Sequence, residues 1–539
     1  MKNYKVCILA AGKNDRVSYA KNFHVGLLPI GTKSGISRII NMFPEEIEII
    51  IAVGYNKNLI KDFIKIAHPN RKIRFIDVEN FDNPGSGPGK TLLACKDYLQ
   101  CPFILTSADT IISDNVPPPD KNWIAISSIP SENSENYCIA EVENNRVSKF
   151  YDKIDTPTLM KICKDYKTIF NNTFIGTAGI YDYSIFWGGL QRNQSLIRNE
   201  LQVSNGLTEL INKNLEVIHI FNWFNTGSEA GYSLANRYFQ KNKIIMKPDE
   251  FIYFENGTVI KYFADPDLVK ERILRAQKMK GIVPEITEIS NNFYAYKYVK
   301  GNILPKINNL IIFKQFLNYC KETIWIKNDL NGEEEDYFKI LCKKFYFDKT
   351  NIRLEKFLQE NGINDQEDII NGEKIPKVKD LMKIIDWEVL FDGISVLYHG
   401  DLQPENILVC EKGFQLIDWR HNFAGDINQG DLYYDLAKLY HALIITHEVI
   451  RNNQFEVKIN NNHINYDFML KSNLLDYKEI LEEFIQNEGY DLKKVKILTA
   501  LIFLNIAPLH HNPYNKFLYY LGKSTLFKEL KNSQMIKPN

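Results

Sequence analysis

The segment 398–420, YHGDLQPENILVCEKGFQLIDWR, restricts the possible folds of this chain more than any other stretch. Asp401 is followed by Asn406, and a short apolar strand then leads to Asp418. A turn with a capping Asp and an Asn would explain the first two residues but not a second Asp after the strand. Asp401 is placed to accept a proton from a hydroxyl, and Asn406 and Asp418 can hold Mg²⁺ on nucleotide phosphates. The spacing therefore predicts phosphoryl transfer to an alcohol.

The pattern H-G-D-x-x-x-x-N followed by L-I-D resembles the loop of the aminoglycoside phosphotransferase and choline kinase superfamily. The resemblance implies a two-lobed, protein-kinase-like domain in which Asp401 is the base and Asn406 and Asp418 are the Mg²⁺ ligands. It also implies that Lys261 contacts the phosphates of ATP and that Glu271, in the next helix, orients Lys261.

The stretch GDLYYDLAKL at 430–439 is similar to one in kinases of the same superfamily that are encoded with capsule genes. Within it, Asp431 is a candidate for positioning the activating loop or the substrate. Asp435 is predicted to cap the helix that it begins. His399 is predicted to hold the catalytic loop through hydrogen bonds and not to act as the base.

The pattern of the C-terminal half fits this two-lobed expectation. Residues 251–263 predict a β-hairpin around Asn256-Gly257, which is a strong turn signal. A charged helix is predicted over 267–280, and the chain beyond 311 is mostly helical. We expect a small lobe over about 250–305 and a large lobe over about 306–539. The acidic run 329–336 predicts a solvated loop.

Length and composition narrow the function classes. A chain of 539 residues is too long for one core, so two or three domains are expected. Lys and Arg number 66, as do Asp and Glu, which argues against a general basic surface for nucleic acid. We find neither a secretory signal pattern nor an apolar run long enough to span a bilayer. The eight cysteines are scattered without a C-x-x-C pair, so reduced thiols in a cytoplasmic protein are expected.

The N-terminal half alternates short apolar strands with amphipathic helices. Strands are predicted over 5–10, 47–53, 73–78 and 103–107, and helices over 35–42, 58–67 and 90–99. Such alternation indicates an α/β fold with a doubly wound, Rossmann-like, mostly parallel sheet. A last helix is predicted over 228–240, and the polar stretch 241–250 marks the boundary. We therefore divide the chain into domains 1–243 and 244–539.

The segment ILAAGKNDRV at 8–17, directly after the first strand, resembles the L-A-A-G-x-G-x-R signature of sugar-phosphate nucleotidyltransferases. In that family the loop wraps a nucleoside triphosphate, because small residues let backbone N–H groups reach phosphate and base. The resemblance covers roughly 4–240 and assigns nucleotide contacts to Leu9, Ala10, Ala11, Gly12 and Asn14, with Arg16 holding the leaving pyrophosphate.

Further motifs extend this resemblance. Asp109 in TSADT matches the metal-binding Asp, and Gly87 in GSGPGKT lies where the family reads the base. Lys153 in YDK matches the lysine that contacts the acceptor phosphate. Asn225, in WFNTG, occupies the position of the second metal carboxylate, and an amide oxygen can also ligate Mg²⁺, but without charge.

The chain departs from this family where a phosphate-facing lysine is usual, because Val25 occupies that position. Lys21 or Lys33 could supply the missing cation. Together with Asn225, this departure supports an alternative in which the N-terminal half binds a nucleotide without turnover and only the kinase is active.

The two halves suggest one pathway. A kinase would phosphorylate a sugar or small alcohol with ATP, and a nucleotidyltransferase would then join that phosphate to a second NTP, with CTP favoured. The expected product is an NDP-activated donor for capsule or surface-glycan synthesis, with Mg²⁺ as cofactor and no nucleic-acid or membrane partner. A second alternative is a choline or ethanolamine kinase joined to a cytidylyltransferase.

Overall fold

The computed structural model describes residues 4–13, 17–18, 23–155, 157–159, 169–240 and 249–532, with the backbone alone at 131, 132, 169 and 170. The chain forms two compact units. The first comprises Met1–Ala264 with Glu288–Ala295, and the second comprises Asp265–Thr287 with Tyr296–Asn539.

The first unit is built on a nine-stranded sheet. Its strands, in spatial order, are Ile73–Asp77, Glu48–Val53, Lys5–Ala10, Phe103–Ser107, Ile169–Ile180, Trp123–Pro130, Glu216–His219, Arg146–Asp152 and Cys138–Glu143. The first four strands in this order are mutually parallel. The strand Ile169–Ile180 then runs antiparallel to both of its neighbours.

Side chains of the first strand alternate between two cores. Val6, Ile8 and Ala10 belong to one hydrophobic cluster, whereas Cys7 and Leu9 belong to the other. This alternation follows from the two-residue period of a strand. Both faces of the sheet are therefore covered, as expected for a doubly wound α/β fold, and the predicted fold class is confirmed.

Four described helices of this unit lie close to predicted positions, namely Gly35–Ile40, Lys57–Ala67, Pro88–Ala94 and Glu229–Phe239. Two further helices, Tyr183–Arg192 and Ser204–Leu210, were not predicted. Two short strands, Thr110–Ile112 and Trp223–Asn225, pair as a separate antiparallel ribbon. The predicted helix 90–99 instead begins at Pro88 and ends at Ala94, followed by a 3₁₀ turn at Lys96–Tyr98.

The predicted hairpin forms, with strands Glu250–Glu255 and Thr258–Phe263. Its apolar face packs into the core of the first unit, where the Phe251 ring lies tilted against Phe23 and the Tyr253 ring meets Phe63 edge-on. The Tyr253 hydroxyl donates to the Leu27 carbonyl over 2.8 Å. The hairpin is thus continuous with the N-terminal core, although the domain boundary predicted from sequence lies before it.

The second unit is mostly helical. Its helices are Pro266–Lys278, Leu310–Thr323, Gly332–Lys343, Lys349–Asn361, Val378–Ile384, Trp387–Phe391, Leu432–Ile444, His447–Arg451, Ser472–Asn487, Leu492–Ile506 and Tyr514–Asn532. Its short strands are Asn302–Ile303, Asp368–Ile370, Glu373–Ile375, Ser395–Val396, Ile407–Cys410, Gly413–Leu416, Gly430–Asp431, Phe455–Asn460 and His463–Phe468. None of the helices in the described ranges is long and apolar enough to cross a bilayer.

The prediction of a loop over 329–336 is wrong, because a helix begins at Gly332. The Asn331 side chain accepts from the Glu333 and Glu334 N–H groups, and the Glu334 side chain accepts from the Asn331 N–H. This is a capping box, and the acidic residues of the first turn also interact favourably with the helix dipole. The acidic run therefore marks a helix start and not a loop.

We expect Asn331→Ala to lower the free energy of unfolding by about 1 kcal/mol, because it removes the cap. Lys339→Ala, at an exposed position of the same helix, should change stability by less than about 0.5 kcal/mol. Urea denaturation of both variants checks the expectation. Equal stabilities of the two variants would contradict it.

Candidate active sites

One buried carboxylate binds the backbone of the catalytic loop in the second unit. Asp435 is buried inside helix Leu432–Ile444, and its oxygens accept from the His399 N–H over 2.8 Å and the Gly400 N–H over 2.7 Å. Burial raises the pKa of Asp435 to about 6, although these donors favour the ionised form. The helix cap is Asp431, whose carboxylate accepts from the Tyr433 N–H, so the capping role predicted for Asp435 is wrong.

Asp401 lies between an amide and an ammonium. The Asn406 Nδ2 donates to the Asp401 carbonyl over 2.9 Å and lies 3.3 Å from Asp401 Oδ2, while Lys438 Nζ lies 2.8 Å from Oδ1. Burial by itself would raise the pKa of Asp401, but the Lys438 ammonium holds it well below its ordinary value. The Asp401 side chain is 36% exposed and Lys438 is 9% exposed, so the ionised carboxylate stays accessible to a substrate hydroxyl.

The strand after the loop places Asp418 next to Asn406. Ile407 pairs with Leu416, and the Ile417 N–H donates to the Asn406 carbonyl over 2.9 Å. His399 Nε2 donates to the Ile417 carbonyl over 3.0 Å, as its predicted structural role requires. Burial lowers the pKa of His399 to about 4, so this ring is neutral. Asp418 has φ +62°, a left-handed conformation that Asp tolerates better than most residues.

Helix Pro266–Lys278 packs on the same loop. The Arg275 guanidinium is buried, donates to the Tyr398 carbonyl and lies 4.4 Å from the centroid of the Tyr398 ring. Trp419 Nε1 donates to the Arg272 carbonyl over 2.9 Å. Glu271, predicted to orient Lys261, accepts from Asn422 Nδ2 over 2.7 Å.

Lys261 belongs to the first unit. It is 4% exposed on the strand Thr258–Phe263, opposite Ile252 on the paired strand. Its role toward ATP stays a prediction.

The first unit has a cavity of about 510 Å³ that collects several of the predicted residues. Leu9, Asp109, Lys153 and Asn225 all line it, together with Pro88, which follows Gly87. These residues come from five separate segments of the chain, and a cavity of this size is ordinary for a small-molecule site.

Asp109 and Asn225 are held together by the two-stranded ribbon. Asn225 pairs with Thr110, and the Thr226 N–H donates to the Asp109 carbonyl over 2.9 Å. The Ser107 hydroxyl donates to Asp109 Oδ1 over 2.6 Å. The Asn225 amide donates to the Tyr137 hydroxyl, and its oxygen accepts from the Gly227 N–H over 3.0 Å.

Lys153 has φ +50°, and its Nζ lies 2.8 Å from Glu200 Oε2. Glu200 also packs on the glycine-rich loop, since a Cβ on Gly87 would lie 2.8 Å from the Glu200 Cβ. With φ +104°, Gly87 adopts a backbone that L side chains rarely reach. Gly87 therefore lets this loop approach the 200–201 segment closely.

Only part of the predicted nucleotide loop is described. Leu9, Ala10 and Ala11 are buried and Gly12 is exposed, whereas Asn14 and Arg16 lie outside the described residues. Val25 packs in the core, and Lys33 Nζ lies 2.8 Å from Glu255 Oε1. Lys21, the other candidate cation, also lies outside the described residues.

Both sites fit Mg²⁺ held jointly by protein and phosphate. In the described ranges no group of three or more His, Cys, Asp and Glu side chains forms a metal cluster. Mg²⁺ in phosphate-transfer sites is commonly held by one or two carboxylates plus substrate phosphates. Asp109 with Asn225, and Asp418 with Asn406, are donor pairs of that kind.

Two partners were missed by the sequence analysis. Lys438 lies one helical turn after Asp435, so both side chains reach the catalytic loop from one face of the helix. This i, i+3 spacing was visible in the GDLYYDLAKL stretch. Glu200 carried no comparable signal.

Known proteins similar to this chain match its two regions separately. The family model "Phosphotransferase enzyme family" matches residues 339–455. The bifunctional protein GlmU of Methanococcus maripaludis is 28% identical over 246 residues, which cover 44% of this chain and 55% of the relative. GlmU of Methanocaldococcus jannaschii is 28% identical over 153 residues, which cover 28% of this chain and 36% of the relative. The chain thus spans about a third to just over half of these curated relatives.

Solved structures similar to this chain include a UDP-glucose pyrophosphorylase complexed with UDP-glucose, with 18% identity, TM-score 0.36, and coverage of 44% of this chain and 98% of that one. Another is the CTP:phosphocholine cytidylyltransferase LicC of Streptococcus pneumoniae, with 17% identity, TM-score 0.36, and coverage of 44% and 100%.

The C-terminal region therefore matches the phosphotransferase enzyme family model over residues 339–455, and the N-terminal region is similar to GlmU proteins. The resemblances read from the sequence are confirmed at this level.

We expect Lys438→Met to lower kcat/KM for ADP formation about tenfold or more at neutral pH. Removing the ammonium leaves burial as the main influence on Asp401, so the pKa of Asp401 rises and the acid limb of the pH profile moves to higher pH. Lys438→Arg keeps the positive charge, so the acid limb of its pH profile should stay where it is in the unsubstituted protein. An unmoved limb in Lys438→Met would contradict the assignment.

We expect Asp435→Asn to lower the free energy of unfolding by about 1–3 kcal/mol, because one loop N–H would then face an amide NH₂. ADP formation should fall with it. Asp380→Asn, at a half-exposed helix position where the carboxylate pairs with Lys383, serves as the matched control and should leave stability nearly unchanged, because surface ion pairs contribute little. Denaturant titration and a kinase assay at low temperature measure both effects; stability equal to that of the control would refute the loop-anchoring role.

Proposed function

We propose that this chain is a bifunctional enzyme that phosphorylates a sugar or small alcohol with ATP and then couples that phosphate to a second NTP. The product would be an NDP-activated donor, released with pyrophosphate. The observation that carries the proposal is the Asp401 carboxylate, which is held by Asn406 and Lys438 and kept ionised by the Lys438 ammonium.

In the first reaction, the acceptor hydroxyl would give its proton to Asp401 as its oxygen bonds to the γ-phosphorus of ATP and ADP leaves. Asn406 orients the Asp401 carboxylate, and Lys438 keeps it unprotonated. Asn406 and Asp418 would hold Mg²⁺, which neutralises phosphate charge when bound.

In the second reaction, an oxygen of the acceptor phosphate would attack the α-phosphorus of the NTP and displace pyrophosphate. Lys153 lines the cavity and can pair with the acceptor phosphate after leaving Glu200. Asp109 and Asn225 would hold Mg²⁺ at the end of the ribbon. Cations placed where charge develops stabilise such a transition state.

Joining the two activities in one chain would favour transfer of the kinase product to the second site. The product of the kinase is the substrate of the nucleotidyltransferase, and a covalent link raises the effective concentration of one site for the other. We further propose CTP as the second nucleotide, a cytoplasmic location, and use of the product in capsule or surface-glycan assembly.

A second candidate function is supported by two features of the first unit. The Asn225 amide is engaged by Tyr137 and Gly227 and carries no charge, and Val25 is buried where a phosphate-facing lysine is usual. Under this alternative the first unit binds a nucleotide without turnover, and the kinase acts alone.

The deciding experiment follows ADP and pyrophosphate together in one reaction. Purified chain is incubated with ATP, Mg²⁺, each other NTP in turn, and a panel of sugars, glycerol, choline and ethanolamine. Pyrophosphate that requires ATP, one acceptor and one NTP would support the bifunctional enzyme. ADP without pyrophosphate would favour the second candidate, and absence of both would refute the kinase proposal for these acceptors.

We expect Asp401→Asn to reduce ADP formation at least a hundredfold and to spare pyrophosphate release from a pre-phosphorylated acceptor. Asp109→Asn should instead abolish pyrophosphate release and spare ADP formation. Each variant serves as the folding control of the other. Loss of both activities in either variant would contradict the assignment of separate sites.

A further inference from the structure

A group of cations with no acidic partner among the described residues lies beside the catalytic loop of the second unit. We call it the cationic recess and define it by Lys349, Arg353 and Arg420 around the rings of Phe345 and Tyr434. Lys349 Nζ lies 3.2 Å from the centroid of the Phe345 ring, and the Arg420 guanidinium lies 4.8 Å from the same centroid. Lys349 is also 5.6 Å from the centroid of the Tyr434 ring.

In the described part of the chain, no carboxylate forms an ion pair with these cations. Across the described ranges, no carboxylate lies within 4.0 Å of the charged nitrogens of Lys349, Arg353 or Arg420, whereas the nearby Lys438 pairs with Asp401. Burial, with Arg420, Arg353 and Lys438 close by, lowers the pKa of Lys349 well below its ordinary value. Burial and Arg420 likewise lower the pKa of Arg353.

The recess adjoins the reacting group. The Arg420 N–H donates to the His399 carbonyl over 2.9 Å, and the Arg420 side chain packs against Gly400, the residue before Asp401. Lys349, Arg353 and Tyr434 also line a small cavity between three helices. The recess therefore borders the place where a hydroxyl must lie to reach Asp401.

Grouping these cations lowers the stability of the folded protein, which a purely structural role would not explain. Like charges that are partly withdrawn from water repel one another, and contact with aromatic rings offsets only part of this. Perturbed ionisable groups concentrated in a cleft are typical of functional sites. A five-residue π-helical turn, Lys344–Asp348, contains Phe345 and ends directly before Lys349. Such turns are frequent at functional sites.

We propose that the cationic recess receives a carboxylate or phosphate group of the alcohol that the kinase phosphorylates. The inference rests on the proposed kinase function and narrows its acceptor to an anionic alcohol. The cavity has a volume of about 20 Å³, so it receives the charged end of the acceptor and not the whole molecule. A choline or ethanolamine cation would be repelled from this place.

Binding tests the recess independently of turnover. Calorimetric titration of the full chain, without nucleotide, compares glycerol with D-glycerate and glycerol 3-phosphate, and glucose with glucuronate and glucose 6-phosphate. We expect at least one anionic probe to bind tenfold or more tightly than its neutral counterpart; the carboxylate and phosphate arms show which anion is preferred.

Variants of one helix then locate the binding. Lys349→Met and Arg353→Met should each weaken binding of the anionic probe at least tenfold. Lys356→Met, at an exposed position of the same helix, should leave that binding unchanged. Lys349→Met should also raise the melting temperature, because it relieves repulsion; a structural role would lower it. Equal binding of charged and neutral probes, or binding unchanged in both recess variants, would overturn the proposal.

ADP formation with the same probes separates this inference from the proposed function. ADP formed with anionic alcohols, and lost in Lys349→Met, supports both. ADP formed only with neutral alcohols leaves the kinase in place and overturns the anionic acceptor. Anion binding that depends on Lys349, without ADP from any probe, supports the recess and counts against the kinase.

Discussion

The kinase-like site depends on one buried carboxylate that accepts two adjacent backbone N–H groups. Asp435, in helix Leu432–Ile444, accepts from the His399 and Gly400 N–H groups and so fixes the backbone just before Asp401. Gly400 makes the turn possible, with φ +82° and a position where a Cβ would lie 2.5 Å from Tyr398 and 2.6 Å from Arg420. From this position Asp401 meets Asn406 and Lys438.

Electrostatics divides the two sites by role. In the second unit Asp401 is kept ionised by Lys438, while the cations of the recess have no acidic partner among the described residues. In the first unit Lys153 is already paired with Glu200, which a phosphate would have to displace. The formal net charge of the chain is zero, so the recess cations do not belong to a general basic surface.

Much of the fold was predictable because strand and helix periods are local properties. The parallel strands of the first unit and the hairpin around Asn256-Gly257 follow the apolar pattern and the turn signal. The acidic run was misread because charge alone does not distinguish a solvated loop from a first helical turn; the capping box at Asn331 does. The hairpin's attachment to the N-terminal core was not predictable, since an apolar face does not reveal which core will bury it.

The sequence by itself determined the chemical groups and their local spacing: Asp401, Asn406 and Asp418 around one short strand pair, and Asp109 at the end of a buried strand. Tertiary structure alone brought in partners distant along the chain, namely Lys438 at Asp401, Glu200 at Lys153, and Arg420 beside Lys349. The reason is physical. Spacing within one element fixes which side chains share a face, whereas contacts between elements depend on packing, and packing decides which charges meet and which remain without a counter-ion.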